Sequence, residues 1–322
     1  MNKFTRAILL IVLVLSLSYA RTATVDALAA GATQANATQN SATQAKEIGP
    51  RVRTVAFASK LVGKSLPYNV VLPVDYDQPA AQGKRYPVLY LLHGLFGHYD
   101  NWTTRTKLSD YAAPYSMIIV TPEGGNAWYT DSATVPSDRY ETYVIEELIP
   151  DVQHRYRTIE AREGRAIAGL SMGGYGALKF GVKYPQTFGF VASLSGALGA
   201  ASWTHEELSA YEAIWRTLPP VFGQADSPVR AANDLYRLYR ELTPERIATL
   251  PYVYLDCGTE DLTFSTNRGF VEILLARKIP HEYRQLPGTH DWKYWDTQVR
   301  EVLRIAARKL REPAASVTIA AR

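Results

Sequence analysis

Arg165-Ala166-Ile167-Ala168-Gly169-Leu170-Ser171-Met172-Gly173-Gly174-Tyr175-Gly176-Ala177-Leu178-Lys179-Phe180 decides how this 322-residue chain folds. Its opening residues are a short apolar run, the composition of a strand covered on both faces. Its closing residues, from Gly173 to Phe180, read as the first turns of a helix. Between them stands Gly169-Leu170-Ser171-Met172-Gly173, a G-x-S-x-G pattern. That pattern arises by composition alone in roughly one chain in ten of this length, so its context carries the weight. A strand before and a helix after put the serine on a sharp elbow from which its Oγ projects. Glycines flank it because a Cβ in so tight a turn would collide with neighbouring backbone. The plainer alternative, a glycine-rich helix start packed on a sheet, accounts for less of this context.

Outward from the elbow, the chain alternates strand and helix signals. Val52–Ser59 and Pro67–Leu72 alternate apolar and polar residues around Gly63, which predicts an antiparallel opening pair. Six short apolar runs follow, at Pro87–Leu92, Met117–Thr121, Arg165–Gly169, Phe190–Leu194, Tyr252–Cys257 and Tyr283–Leu286. Val144, Leu148 and Val152 mark one amphipathic helix, Phe270 to Arg277 a second, and Val299, Leu303, Ala306 and Leu310 a terminal one. Eight strands with helices between them predict a mostly parallel sheet covered on both faces. Ligands of such sheets sit at the carboxyl ends of the strands. Residues 198–250 are too long for a simple crossover. They predict a helical insert between the sixth and seventh strands, with segments near 204–216 and 229–240, placed over the site as a lid or beside it.

The residues that serve Ser171 should lie in loops at those carboxyl ends. His290, in Pro287-Gly288-Thr289-His290-Asp291-Trp292, follows the last strand and precedes the terminal helix, and is the candidate base. His98, His154 and His205 follow no strand, and His281 precedes one. Past the seventh strand, Cys257-Gly258-Thr259-Glu260-Asp261 offers Glu260 and Asp261, with Asp256 inside the strand itself. Asp261 is preferred over Glu260 as the carboxylate that orients the imidazole and stabilises its charged form. The order Ser…Asp…His differs from those of chymotrypsin and subtilisin. Met172 N–H, opening the helix, and Leu95 N–H, in the loop Leu92-His93-Gly94-Leu95-Phe96-Gly97, are the candidate oxyanion donors. His93 is read as a support for that loop.

Four stretches together resemble the esterase D-like family. They are Tyr90-Leu91-Leu92-His93-Gly94-Leu95-Phe96-Gly97 with Asn101-Trp102, Pro122-Glu123-Gly124-Gly125-Asn126-Ala127-Trp128-Tyr129, Gly169 to Gly174, and Gly288-Thr289-His290-Asp291-Trp292. The resemblance spans roughly residues 52–310. That family includes S-formylglutathione hydrolases, acetyl and feruloyl esterases, siderophore esterases and mycolyltransferases. The resemblance implies an α/β-hydrolase fold, carboxylic-ester chemistry without a cofactor, and Ser171, Asp261 and His290 as the triad. Trp128, Tyr129, Trp292 and Trp295 are candidate substrate contacts. The chain differs from S-formylglutathione hydrolases in its leader and in its insert. Its Gly-Gly-Asn-x-Trp-Tyr segment is nearer to the small-ester and feruloyl branch. The expected function is therefore hydrolysis of a small-molecule ester, with acyl transfer to a sugar or alcohol as the alternative. A non-catalytic binding protein would be expected to have lost part of the triad.

The first twenty residues read as a secretory signal peptide, with Lys3 and Arg6 before the apolar stretch Ala7–Leu17 and cleavage near Ala20. That stretch is too short to span a bilayer, so stable membrane insertion is not expected, and the compartment is the periplasm or the medium. Residues 21–49, rich in Ala, Thr, Gln and Asn, lack the apolar residues that offset chain entropy, which predicts a disordered leader. A catalytic domain over 50–312 and a short tail over 313–322 complete the organisation. Asn36 and Asn101 lie in N-x-T sequons. The formal charge of +4 includes Lys3 and Arg6, and no stretch gathers the remaining cations, so nucleic acid is not an expected partner. No metal-ligand cluster, P-loop or dinucleotide fingerprint is present. Cys257, the single cysteine, has no disulfide partner and is read as a small buried hydrophobe.

Overall fold

The computed structural model describes residues 46–49 and 51–310. The signal peptide, the leader up to residue 45 and the tail lie outside the described residues. Nine strands form one sheet: β1 (Lys46–Gly49), β2 (Val52–Val55), β3 (Tyr68–Val71), β4 (Val88–Leu92), β5 (Ile118–Pro122), β6 (Arg165–Leu170), β7 (Phe190–Leu194), β8 (Tyr252–Gly258) and β9 (His281–Leu286). Their order is β1-β2-β3-β5-β4-β6-β7-β8-β9. β1, β2, β3 and β5 pair antiparallel, and β5, β4, β6, β7, β8 and β9 run parallel.

All eight strands read from the sequence are present, and the opening pair is antiparallel as expected. The ninth, β1, falls within the stretch assigned to the leader. It pairs antiparallel with the edge of β2, and backbone pairing of this kind is not announced by a side-chain pattern.

Successive residues of the central strands face opposite sides. Tyr90, Leu92, Ile167, Val191, Val253 and Leu255 join one core cluster, while Leu89, Leu91, Ala166, Ala168, Ala192 and Tyr254 join the other. Helices α1 (Asn101–Thr104) and α2 (Leu108–Ala112) lie on the second face, with Trp102 and Leu108 buried there. Helix α3 (Tyr140–Tyr143) runs through a π turn at Val144–Leu148 into α4 (Ile149–Arg155). Helix α5 (Met172–Lys183) packs on the first face, where Met172, Tyr175, Leu178 and Phe180 are fully buried.

The insert holds five short helices, not two: α6 (Glu212–Trp215), α7 (Leu218–Phe222), α8 (Pro228–Asn233), α9 (Leu235–Arg240) and α10 (Pro244–Thr249). A proline in the first turn of α7, α8 and α10 explains the fragmentation, since proline starts a helix well but cannot continue one. Helices α11 (Phe264–Ala276) and α12 (Trp292–Lys309) complete the two layers, α12 burying Val299, Val302, Leu303 and Ala306 on the second face. Parallel strands bring the loops after β4, β6, β8 and β9 to one end of the sheet. Leu95, Ser171, Asp261 and His290 are all in those loops.

Candidate active site

Ser171 joins β6 to α5 with φ 53° and ψ −116°. A non-glycine residue at positive φ costs on the order of 1–3 kcal/mol, and three backbone hydrogen bonds hold this one in place. Ser171 N–H donates to Leu194 O at 2.9 Å, and Ser171 O accepts from Tyr175 and Ala197 N–H, each at 3.0 Å. The flanking glycines touch: a Cβ on Gly169 would lie 2.5 Å from Gly173 C, and one on Gly173 would lie 2.6 Å from Leu92 O. No side chain fits at either position.

Ser171 Oγ lies 3.0 Å from His290 Nε2, and His290 Nδ1 lies 2.9 Å and 3.0 Å from the two Asp261 oxygens. A carboxylate facing Nδ1 places the proton there and leaves Nε2 free to accept from the serine hydroxyl. Trp295 closes one side of the imidazole, its ring edge-on at 4.9 Å. Asp261 Oδ1 also accepts from Thr263 N–H at 2.7 Å and Thr263 Oγ1 at 2.8 Å. Burial raises the Asp261 pKa, but the hydrogen bond and charge of His290, with the Thr263 N–H, outweigh it and hold the carboxyl below its ordinary range.

The other two carboxylates are occupied elsewhere. Glu260 is exposed, and its Oε2 accepts from Gly288 N–H at 2.6 Å, tying the loop after β8 to the loop after β9. Asp256 is fully buried in β8, where Tyr294 OH donates to its Oδ1 at 3.2 Å and Oδ2 has no partner. Burial pushes its carboxyl up to about 7. Of the three, Asp261 alone reaches His290. Cys257, between them, is buried with its thiol pushed up to about 12 by desolvation, in keeping with an inert residue.

The loop after β4 is held by His93, which is buried. Its Nε2 accepts from Gly124 N–H at 2.9 Å, so its Nδ1 carries the proton and donates to Gly94 O at 2.7 Å. Gly97 N–H donates to the same carbonyl at 3.0 Å. In a trans peptide the C=O and the following N–H point opposite ways. Fixing Gly94 O therefore fixes the Leu95 N–H on the side away from His93. Phe96 N–H donates to Asn126 Oδ1 at 2.8 Å, a support the sequence reading had not singled out. Met172 opens α5, where an N–H has no intrahelical partner.

Two cavities meet at Ser171 and His290, with Leu95 and Phe96 lining both. One, of about 170 Å³, is apolar, walled by Trp128, Trp203, Ile214 and Leu262. Trp203 and Ile214 belong to the insert, which thus forms part of the pocket wall. The other, a cleft of about 230 Å³, is walled by Trp292 and Trp295, with Asn101 and Arg105 at its polar side. A larger cavity of about 550 Å³ lies within the insert, and Ser171 does not line it.

Of the four candidate substrate contacts, Trp128, Trp292 and Trp295 line the two cavities at Ser171 and Tyr129 lines neither. It is fully buried, its OH donates to His93 O at 3.1 Å, and its ring packs against Gly124 and Gly176. The turn carrying both aromatics has φ 54° at Trp128 and 49° at Tyr129. Lys179 anchors it: the buried Nζ donates to Tyr129 O and Thr130 Oγ1, each at 2.6 Å, and pairs with Glu141 at 2.8 Å. Trp128 is locked from the insert side by its Nε1 bond to Thr217 Oγ1 at 2.9 Å.

Among the described residues no cluster of His, Cys, Asp and Glu is arranged to hold a metal, and no helix is long and apolar enough to cross a membrane. Fold and site together define an α/β-hydrolase with a serine at its elbow. Residues 59–304 match the family model Esterase, described as "Putative esterase", so the chain belongs to that family, and it is a carboxylic ester hydrolase. It is 29% identical over 255 residues to an acetyl esterase of Caldicellulosiruptor saccharolyticus, covering 77% of this chain and 95% of that protein. It is 34% identical over 265 residues to an esterase of Mycobacterium tuberculosis, covering 76% of this chain and 56% of that longer protein. Among solved structures, a ferulic acid esterase superposes with TM-score 0.67 at 28% identity, covering 80% of this chain and 98% of that one.

Proposed function

We propose that this chain is an exported serine esterase that cleaves small-acyl or feruloyl-type esters through an acyl-enzyme. The observation that carries the reading is the unbroken series Ser171 Oγ, His290, Asp261 at the mouth of two cavities. In this reading His290 Nε2 takes the hydroxyl proton as Ser171 Oγ bonds to the ester carbon. Leu95 N–H and Met172 N–H stabilise the oxyanion. The tetrahedral intermediate then collapses, the C–O bond to the alcohol breaks, and His290 returns the proton to the departing oxygen. Water, deprotonated by the same imidazole, releases the acid and restores Ser171. Asp261 stays ionised and stabilises the imidazolium throughout.

The apolar pocket is small and tryptophan-walled, dimensions that suit a short acyl chain or a single aromatic ring. Similarity to an acetyl esterase and a ferulic acid esterase supports the same range. Export rests on Lys3, Arg6 and the apolar stretch Ala7–Leu17. A panel of p-nitrophenyl acetate, butyrate and octanoate with methyl ferulate tests the substrate range. Turnover should be highest for acetate or ferulate, and a preference for octanoate would count against it. Product analysis with added glycerol or trehalose should recover free acid; transfer of the acyl group to the added alcohol would make the chain a transferase.

A further inference from the structure

The two cavities at Ser171 differ in charge. The apolar pocket is lined by no Asp, Glu, Lys or Arg, whereas the cleft opposite carries Arg105. No Asp or Glu lines that cleft, and Arg105 makes no ion pair among the described residues. Arg216, Arg237 and Arg304, by contrast, are each paired with a glutamate three or four residues away in the chain. The guanidinium instead lies over the Trp292 ring, 5.8 Å from its centroid, a contact that orients the planar group and leaves its N–H donors exposed.

The element beneath Arg105 is firmly seated. Arg105 closes α1, its N–H donating to Asn101 O at 2.9 Å. Trp102 in that helix is fully buried, donates Nε1–H to Leu92 O at 3.0 Å, and packs edge-on against Trp292 at 5.4 Å. The backbone that carries the exposed Arg105 side chain is therefore anchored to the core at the edge of the cleft.

We propose that this cleft is a subsite for an anionic group, a carboxylate or phosphate, on the alcohol half of the ester, with Arg105 as the specificity-determining residue. An ester lying across Ser171 must put one half on each side. The half that stays on Ser171 suits the pocket walled by Trp128, Trp203 and Ile214, and the half that departs suits the cleft. A guanidinium engages carboxylate or phosphate oxygens through paired N–H donors, and next to an aromatic wall it selects esters of acidic alcohols over neutral ones. The proposal rests on the esterase reading above.

The test compares 4-acetoxybenzoate with its methyl ester, a charged and a neutral alcohol half on one acetyl group. Intrinsic reactivity cancels when the ratio of their kcat/KM values is compared between proteins. In Arg105→Met that ratio should fall by about three- to tenfold, the range of a partly exposed charge-assisted pair. Arg105→Lys should recover part of it, and rising salt should lower the wild-type ratio by screening. Equal ratios in folded wild type and Arg105→Met, with the neutral ester turned over, would overturn the subsite alone. Failure of the wild type to hydrolyse the neutral ester would overturn the esterase reading and the subsite with it. A second pair, 4-nitrophenyl hydrogen succinate and its methyl ester, places the charge on the acyl half. If Arg105→Met moves that ratio instead, the assignment to the alcohol half is overturned.

Discussion

Asp256 and Asp261 belong to one strand and the loop that follows it, both are buried, and their environments drive their carboxyls in opposite directions. Asp261 is met by His290 and by two donors from Thr263, which outweigh burial and hold it ionised. Asp256 faces tyrosine hydroxyls, Tyr294 OH donating to one oxygen, and has no cationic partner within hydrogen-bond reach, so burial prevails and pushes it up to about 7. Burial alone thus does not fix the charge of a carboxyl; the donors that reach it do. That difference is what makes one aspartate fit to orient an imidazole and the other a protonatable part of the core.

Substitution at each carboxylate sharpens the contrast, starting with the largest effect. Asp261→Asn removes the group that fixes the imidazole tautomer, and steady-state kinetics should show kcat reduced by about 10⁴-fold, as for such a change in trypsin-like enzymes. A loss under tenfold would mean that His290 is oriented by something else. Asp256→Asn should act on stability. A carboxyl whose folded pKa is raised is at its most stabilising below its unfolded value near 4, and the contribution is lost as pH rises through about 7. Denaturant unfolding across pH 4–8 should therefore show Asp256→Asn gaining on wild type as pH rises, by on the order of 4 kcal/mol over the whole window. Parallel profiles would mean that Asp256 is not perturbed. Asp261, with its depressed pKa, has the opposite window: its contribution is present above the unfolded value and lost as pH falls below it. Glu260→Gln should have the smallest effect. It weakens one exposed tie to Gly288 N–H and should cost only a few-fold in kcat, with little change in stability; a loss matching Asp261→Asn would mean that the two carboxylates exchange roles.

The parts of the molecule that were legible in the sequence share a physical origin. Continuous apolar runs such as Val88–Leu92 are what a doubly covered strand requires, so the eight strands could be read in order. Parallel strands send their following loops to one end of the sheet, so Ser171, Asp261 and His290 could be matched by their place after a strand. The parts not read depend on contacts that leave no local pattern. β1 joins by backbone pairing. Lys179 sits on an otherwise apolar helix face, and only the folded chain brings Glu141 and Tyr129 O to it. The β4 loop depends on a histidine tautomer set by Gly124 N–H, thirty-one residues away. Tyr129 was read with Trp128 as a substrate contact, but the turn at positive φ sends one ring to the pocket and the other into the core.

Ser171 itself is tested most directly by Ser171→Ala, assayed in parallel for ester turnover and for covalent labelling by a fluorophosphonate probe. The variant should lose both while keeping the wild-type melting temperature, because the hydroxyl contributes no hydrogen bond beyond the one to His290. Labelling or turnover undiminished in the folded variant would place the nucleophile elsewhere and contradict the account.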